Sequence, residues 1–339
     1  GTMARRVVLG PDDDYRLLMA IHGEGALVVD DVTVHKLADY PAPETAVEVA
    51  EDQDAYEPYG VCFSVSHPWV YESDAEALQA LQLMADAGIQ WVRIVLGWGH
   101  LEEERGAVDQ KQLERIDLVI RRANELGIEV YLTLLGVPKW ASKNPDHARY
   151  WAWAPKDMDA YRQHVRSMAE RYHEQVKYWE IWNEPDWHFW ESPYEEFFPL
   201  LRDAYTEIKS VDPSCKVLLG GLATDGVAGW SNPKSTEHAL QRLYDAGGKE
   251  YFDILTIHPY SYSLATGAWE SLDKINTAWS VMHRNGDGDK RIWISELGTP
   301  TTFMSEQEQA QYLRKTYDTL LKHPAVDKLF WYNFRCTGE

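Results

Sequence analysis

The chain has 339 residues, 45% of them hydrophobic, which is enough for one large domain with a substantial core. Its formal net charge is −21, from 54 acidic and 33 basic residues, so its surface repels phosphate groups and we expect no nucleic-acid partner. No apolar run approaches the ~20 residues of a membrane span, so we expect no membrane partner either. The 15 tryptophans are the outlier of the composition, and such flat rings favour a neutral, ring-shaped ligand such as a sugar.

Residues 1–55 are predicted to form a short β-rich extension followed by a linker. The runs Arg5–Leu9 and Ala26–Val34 are β-like, and the acidic, proline-bearing stretch 41–54 is typical of a linker. The extension resembles the last strands of a carbohydrate-binding jelly roll. Because two such strands cannot bury a core alone, they either pack on the main domain or belong to a truncated module.

Residues 56–339 alternate apolar strands with amphipathic helices, which predicts an α/β fold with a parallel sheet. Eight strand-like runs match an eight-stranded (β/α)8 TIM barrel, whose usual length is ~250 residues. A doubly wound open sheet is the alternative, but Ser66-His67-Pro68-Trp69 follows the first strand in place of a glycine-rich nucleotide loop. The predicted strands are Gly60–Val65, Trp91–Leu96, Glu129–Leu134, Val176–Trp182, Lys216–Gly220, Phe252–Ile257, Arg291–Ser295 and Lys328–Tyr332.

Capping residues and glycines mark the ends of the predicted helices. Ser73 and Glu76 form a capping box at the start of the first helix, which ends before Gly88. A helix after the eighth strand either lies beyond Glu339 or is replaced by the N-terminal strands. The predicted helices are Ser73–Ala87, Asp109–Leu126, Asp157–Tyr172, Pro193–Val211, Ser235–Ala246, Leu272–Asn285 and Ser305–Lys322.

The fourth predicted strand runs into the stretch YWEIWNEPDW, residues 178–187. Proline and its Asn and Asp neighbours stop the strand, so Glu184 is held at the carboxyl end of the strand among tryptophans. A carboxylic acid against aromatic rings is poorly solvated, which favours its protonated form and suits it to act as a general acid.

Barrel enzymes have their active sites at the carboxyl ends of the strands, and a second glutamate lies there. The seventh predicted strand is followed by Glu296 in the run RIWISELG, so Glu184 and Glu296 are expected to face each other across the barrel mouth. Two carboxylates that flank a glycosidic bond are the usual apparatus of glycoside hydrolysis. The other polar and aromatic candidates on or after predicted strands are His67, Arg93, Trp98, Trp140, Asn183, His258, Tyr260 and Trp331.

Arg93 lies within the second predicted strand and has two possible partners. It is placed to keep Glu296 ionised, because a nearby positive charge lowers the pKa of a carboxyl group. Alternatively it balances another carboxylate inside the barrel, such as Glu180.

The residues 60–334 resemble the clan A glycoside hydrolases, which are retaining enzymes on eight-stranded β/α barrels. The motifs that carry the resemblance are YWEIWNEPD, Ile257-His258-Pro259-Tyr260 and ISELG, and they resemble family 39 most, with family 5 as a near rival. The resemblance implies that Glu184 is the acid/base and Glu296 the nucleophile.

The same resemblance implies roles for the residues around the two glutamates. Asn183 would bind the sugar 2-hydroxyl, Arg93 and Tyr260 would support the nucleophile, and Trp331 would form the floor under the attacked sugar. His67, His258, Trp98 and Trp140 are further candidates for substrate binding. Several tryptophans near strand ends or in long loops suggest more than one sugar subsite: Trp98, Trp140, Trp187, Trp190, Trp230 and Trp269.

The predicted function is therefore retaining hydrolysis of β-linked oligo- or polysaccharides by double displacement, without a cofactor or metal. The alternative is an inactive barrel that serves as a glycan-binding module, which has no need for both Glu184 and Glu296. Three widely spaced cysteines, Cys62, Cys215 and Cys336, form neither a disulfide framework nor a metal-ligand pattern. We expect a secreted or cell-surface protein, although no basic-then-apolar signal segment opens the sequence.

Overall fold

Eight parallel strands pair in chain order and close into a barrel, with β8 hydrogen-bonded to β1. The computed structural model describes residues 58–65, 70–223 and 236–335, so the predicted extension 1–55 and the candidate His67 lie outside the described residues. The (β/α)8 architecture expected from the alternating pattern is confirmed. The strands are β1 Tyr59–Cys62, β2 Trp91–Gly97, β3 Glu129–Leu135, β4 Tyr178–Ile181, β5 Lys216–Leu222, β6 Ile254–Ile257, β7 Arg291–Leu297 and β8 Val326–Trp331.

The apolar side chains form two separate cores because alternate residues of a strand point to opposite faces of the sheet. The outer core lies between the strands and the helices and contains, for example, Val92 and Ile94 of β2. The inner core fills the barrel and includes aromatic side chains that meet edge to face, such as Tyr131 and Phe330 with ring centroids 4.8 Å apart. The inner cluster consists of Cys62, Trp91, Tyr131, Leu218, Ile254, Trp293 and Phe330. A barrel packed in this way is a solid support for a site at its rim.

The helices begin where side chains cap their first backbone N–H groups. The Ser73 hydroxyl accepts from the Glu76 N–H, and Asp109 and Asp157 cap their helices in the same way. None of the helices in the described ranges is long and apolar enough to cross a bilayer. The helices are α1 Asp74–Asp86, α2 Trp98–Leu101, α3 Gln110–Glu125, α4 Met158–Tyr172, α5 Phe197–Val211, α6 Thr236–Asp245, α7 Gly267–Arg284 and α8 Glu306–Leu320.

Helix α5 begins at Phe197, after a short 3₁₀ turn at Tyr194–Glu196, instead of at Pro193, and two further helices differ from the sequence-based expectation. The four-residue helix α2 directly after β2 was not predicted, since so short a run has no periodic pattern to detect. Helix α7 begins at Gly267 instead of Leu272, because the N–H of Gly267 bonds to the carbonyl of Ser263 and starts the helix one turn earlier. Both differences lie at the carboxyl-terminal end of the barrel, where they shape the loops around the site.

Candidate active site

Glu184 follows β4 and Glu296 lies near the end of β7, and the two buried carboxylates face each other. A carboxylate oxygen of Glu184, a carboxylate oxygen of Glu296 and a ring nitrogen of His258 all lie within 4.8 Å of one another. Trp182 and Glu184 have positive φ angles of 74° and 44°, a left-handed conformation that costs energy for residues other than glycine. The Glu184 N–H also donates to the carbonyl of Gly221 at 3.0 Å. The turn after β4 is thus held in a strained shape that brings Glu184 toward Glu296.

Arg93 contacts both of the carboxylates that the sequence offered as alternatives. Its guanidinium donates from Nε and Nη2 to Oε2 of Glu180, at 2.9 and 2.6 Å, and from Nη1 to Oε1 of Glu296. Nη2 also donates to Oδ1 of Asn183 at 2.7 Å. Arg93 and Glu180 are fully buried, and the hydroxyl of Thr133 donates to the same Glu180 oxygen at 2.6 Å. The guanidinium of Arg93 therefore links β4 to β7 beneath the site, because it donates to Glu180 and Glu296 at once.

The surroundings of Glu296 favour its ionised form. Burial alone would raise the pKa of Glu296, but the charges of His258 and Arg93 and the hydrogen bonds from Arg93 and Tyr260 outweigh it, so the pKa lies below its ordinary value. The Tyr260 hydroxyl donates to Oε2 of Glu296 at 3.0 Å. Glu296 is thus poised as a carboxylate near neutral pH.

His258 lies between the two glutamates and has no exposed surface. Its Nδ1 is 2.8 Å from Oε1 of Glu184 and its Nε2 is 3.0 Å from Oγ of Ser295. Burial would lower the pKa of His258, but the nearby charges of Glu296 and Glu184 raise it above the ordinary value. A Cβ at Gly221 would come within 2.1 Å of Nε2, so only glycine leaves room for this ring. Instead of offering a surface to substrate, as the sequence suggested, His258 positions the carboxylates.

Asn183 directly precedes Glu184 and shares Arg93 with Glu296, whereas Trp331 packs toward helix α8. The carbonyl oxygen of Asn183 is used by Arg93, and its amide group has two further N–H donors. Trp331 ends β8, is half-buried, and is paired in register with Leu297, the residue after Glu296. Its ring lies 6.3 Å from that of Tyr312 of α8 and packs against the outer core, whereas Phe330 before it points into the barrel. Trp331 therefore faces the helices and does not form the expected floor under a sugar.

Trp98 and Trp140 pack on each other, and Trp98 also packs on helix α4. Trp98 is only 1% exposed, its ring stacks on His164 of α4 at 4.8 Å, and its indole N–H donates to Glu102 at 2.8 Å. Trp140 packs edge to face on Trp98 at 5.4 Å and lies under the guanidinium of Arg105. Both follow strand ends, but the short helix α2 turns Trp98 toward α4. The structure therefore places Trp98 in packing, against the expectation that it binds substrate, and Trp140 beside a side cavity of about 340 Å³.

The remaining tryptophans are divided between core and surface. Trp190 is buried against Trp182, with ring centroids 5.0 Å apart, and has no free face. Trp187 and Trp269 are 40% and 47% exposed, while Trp230 lies outside the described residues.

Asp186 is a buried carboxyl close to Glu184 that sequence reasoning missed. One of its oxygens accepts from the Ala223 N–H at 2.9 Å, while the other has no hydrogen-bond partner in the described part of the chain. Burial is the main cause that raises the pKa of Asp186, to about 7, and the charge of Glu184 adds to it. The sequence does place Asp186 among four aromatic residues, which favours a buried carboxyl. An Asp after Pro is equally typical of a turn, so its burial was not predicted.

Glu184, His258 and Glu296 are also the residue types that bind metals. Arg93, however, already holds a positive charge on Glu296, and the raised pKa of His258 favours its cationic form. A bound dication would have to compete with both charges, so the surroundings favour an acid–base pair over a metal centre.

Comparisons with known proteins link this barrel to the glycoside hydrolases. The family model described as cellulase (glycosyl hydrolase family 5) matches residues 51–334. A protein of Oryza sativa subsp. japonica named beta-glucosidase-like SFR2, chloroplastic, is 33% identical over 123 residues, which are 34% of this chain and 18% of that protein.

Solved structures of glycoside hydrolases share the fold. A family 39 glycoside hydrolase from Bacteroides cellulosilyticus WH2 has a TM-score of 0.63 at 22% identity, over 82% of this chain and 57% of that chain. The endo-beta-1,4-mannanase from Thermotoga petrophila has a TM-score of 0.58 at 17% identity, over 82% of this chain and 68% of that chain. At these identities the likeness concerns the fold alone, and the family 39 enzyme is considerably longer than the matched barrel.

Proposed function

The chain belongs to glycosyl hydrolase family 5, and on that premise we propose that it cleaves β-linked oligo- or polysaccharides with retention, Glu184 being the acid/base and Glu296 the nucleophile. The observation that carries the proposal is the separation of at most 4.8 Å between facing oxygens of Glu184 and Glu296. Retaining enzymes hold their carboxyl groups ~5–5.5 Å apart, whereas inverting enzymes need ~6.5–9.5 Å to admit a water molecule.

In the first step the Glu296 carboxylate attacks the anomeric carbon and the glycosidic C–O bond breaks. The proton of Glu184 passes to the departing oxygen, which leaves a glycosyl ester on Glu296 and a carboxylate on Glu184. In the second step Glu184 takes a proton from water, whose oxygen attacks the anomeric carbon and releases Glu296 as a carboxylate. Each group thus returns to its starting state.

The neighbours of Glu296 support its role as a nucleophile. Arg93 and Tyr260 stabilise the ionised carboxylate that attacks, and Asn183 is held by Arg93 with amide N–H groups left to bind a sugar hydroxyl.

Family 39, which the motifs favoured, is not confirmed as the family of this chain, since the matching family model is that of family 5. The names cellulase and endo-beta-1,4-mannanase among the similar proteins favour β-1,4-linked sugars of gluco or manno configuration as substrates. A secreted or cell-surface location belongs to the same proposal.

Aryl β-glycosides of glucose, mannose, xylose and galactose, with good and poor leaving groups, test this function. Glu296→Ala should lose all of these substrates alike. Glu184→Ala should lose poor leaving groups by roughly 10²–10⁴-fold more than activated ones, because only poor leaving groups need a proton. Added azide should restore Glu184→Ala and give the β-glycosyl azide.

Two outcomes would contradict the proposal. Equal losses of Glu184→Ala on good and poor leaving groups, without β-azide, would remove Glu184 from the acid/base role. Release of no aryl group by the wild-type protein, together with retention on polysaccharide in an affinity gel, would favour a glycan-binding module instead.

A further inference from the structure

Two exposed aromatic rings continue outward from the nucleophile. The Tyr260 ring, whose hydroxyl bonds to Glu296, stacks on Tyr262 with centroids 5.9 Å apart and planes at 27°. Tyr262 meets Phe303 edge to face at 5.4 Å. Tyr262 is 51% and Phe303 65% exposed, so the row Tyr260–Tyr262–Phe303 leads from a buried carboxylate to solvent. Exposed apolar side chains in contact with each other commonly mark a binding surface.

Tyr262 also lies within electrostatic reach of both catalytic glutamates. Partial burial is the first cause that raises the pKa of Tyr262, and the negative charges of Glu184 and Glu296 raise it further. The exposed part of the aromatic row is therefore beside the reaction centre and not elsewhere on the surface.

The loop that carries Tyr260 and Tyr262 is held by side chains of the next two helices. Ser271 and Lys274 of α7 donate to the carbonyls of Pro259 and Tyr260, both at 2.6 Å. The Tyr312 hydroxyl of α8 donates to the carbonyl of Ser261. Rings fixed in this way lose little conformational freedom when a ligand stacks on them, which increases affinity.

Phe303 is held by a turn of its own after β7. Its N–H donates to the carbonyl of Pro300 at 3.1 Å, and Gln309 of α8 donates to the carbonyl of Thr299 at 2.6 Å. Two independent loops thus present one aromatic surface.

We propose that Tyr262 and Phe303 form a subsite that binds the sugar on the leaving-group side of the cleaved bond. The inference rests on the proposed function. Tyr262 follows β6, which lies between β4 with Glu184 and β7 with Glu296 in the barrel, and Phe303 follows β7. They therefore lie on the β6 side of Glu296, toward the carboxyl group of Glu184, which in its neutral form protonates the departing oxygen. A neutral, apolar ring face is the chemistry that stacks on the C–H face of a pyranose.

Substrates that differ only in the leaving group test the subsite. The β-glycosyl fluoride of the sugar found with the aryl panel has a leaving group too small to reach Tyr262 or Phe303. The β-1,4-linked gluco- or manno-oligosaccharides of two to six units place a sugar ring there. Tyr262→Ala and Phe303→Ala should lower kcat/KM roughly 10-fold for the oligosaccharides and leave the fluoride nearly unchanged.

Two control variants complete the experiment. Tyr262→Phe retains the ring and should keep the wild-type kcat/KM for oligosaccharides. Tyr59→Ala removes a ring that is 45% exposed at the amino end of β1, the end of the barrel opposite the site, and should change neither substrate. Because Tyr262 and Phe303 are more than half exposed, their removal takes little from the core, and circular dichroism checks that the variants are folded.

The possible outcomes separate the two proposals. Unchanged kcat/KM for oligosaccharides in both alanine variants would overturn the subsite, while hydrolysis by the wild type upholds the proposed function. An equal loss on the fluoride would also overturn the subsite, because the row would then support the catalytic centre itself. A wild-type enzyme that cleaves neither substrate would overturn the proposed function, and the subsite with it.

Discussion

Replacing Arg93 by methionine is the sharpest test of how the site is held together. Methionine preserves much of the side-chain length but removes the charge that Glu180 and Glu296 share. Arg93 is 2% and Glu180 0% exposed, so water does not replace the lost guanidinium. Breaking a buried ion pair in this way typically costs ~3–5 kcal/mol, because the remaining charge is left without compensation. At roughly 2–3 °C per kcal/mol, the melting temperature should fall by about 6–15 °C.

The same substitution should change the pH dependence of activity. Arg93 lowers the pKa of Glu296, so its removal raises that pKa. Glu296 must be ionised to attack, and the acidic limb of the kcat/KM profile should therefore move to higher pH. The linked effect on stability has a defined sign. Because the pKa of Glu296 is lower in the folded state, ionised Glu296 stabilises the wild type at pH values above the ordinary Glu pKa. This stabilisation is lost as pH falls through the folded-state pKa, so the free energy of unfolding of Arg93→Met should depend less on pH.

Thermal melts followed by circular dichroism and pH profiles of kcat/KM measure both effects. Thr133→Val is the matched control, because it removes one neutral hydrogen bond to Glu180 and should cost only about 1 kcal/mol. Arg93→Met with a melting temperature within about 2 °C of the wild type and an unmoved acidic limb would refute the account of Arg93.

Three further predictions follow from the contacts around the site. Tyr260→Phe should lower kcat roughly 10–100-fold and move the acidic limb to higher pH, because Glu296 loses one hydrogen bond; an unmoved limb would contradict this. Asp186→Asn removes a carboxyl with a pKa of about 7, which keeps its proton in the folded state between about pH 4 and 7 while the unfolded state loses it. The wild type is therefore destabilised as pH rises through that range, and the free energy of unfolding of the variant, measured in urea, should rise by up to ~2–4 kcal/mol relative to the wild type. A constant difference would disprove the burial argument. Trp98→Ala should lose roughly 3–5 kcal/mol of stability but keep kcat/KM, and the reverse pattern would restore its predicted substrate role.

The fold could be predicted closely because a barrel repeats one pattern, an apolar strand followed by an amphipathic helix, and a single sequence is enough to detect it. β2, for example, begins at Trp91 as predicted and ends one residue later than predicted, at Gly97. The errors occur where hydrogen bonds outside the strand pattern decide the ends. β4 was predicted to include Trp182, but that residue turns into a positive φ to bring Glu184 to the rim.

The candidate site could be predicted only as far as strand ends determine proximity. Parallel strands bring Glu184 and Glu296 to the same rim, so their approach follows from topology. The direction of a side chain does not, which is why Trp98 was expected in the cleft although α2 turns it toward α4. Tyr262 and Phe303 were missed for the same reason, since each lies in a loop whose shape depends on side chains from α7 and α8.

The identity of the nucleophile is tested most directly by trapping the glycosyl–enzyme intermediate. An activated 2-deoxy-2-fluoro-β-glycoside of the sugar found with the aryl panel reacts in the first step and leaves the second step slow. Mass spectrometry of the intact protein should then show one added fluoroglycosyl group, and peptide mapping should locate it on Glu296. A label on any other residue, or no label on an enzyme that hydrolyses the parent aryl glycoside, would contradict the assignment of Glu296 as the nucleophile.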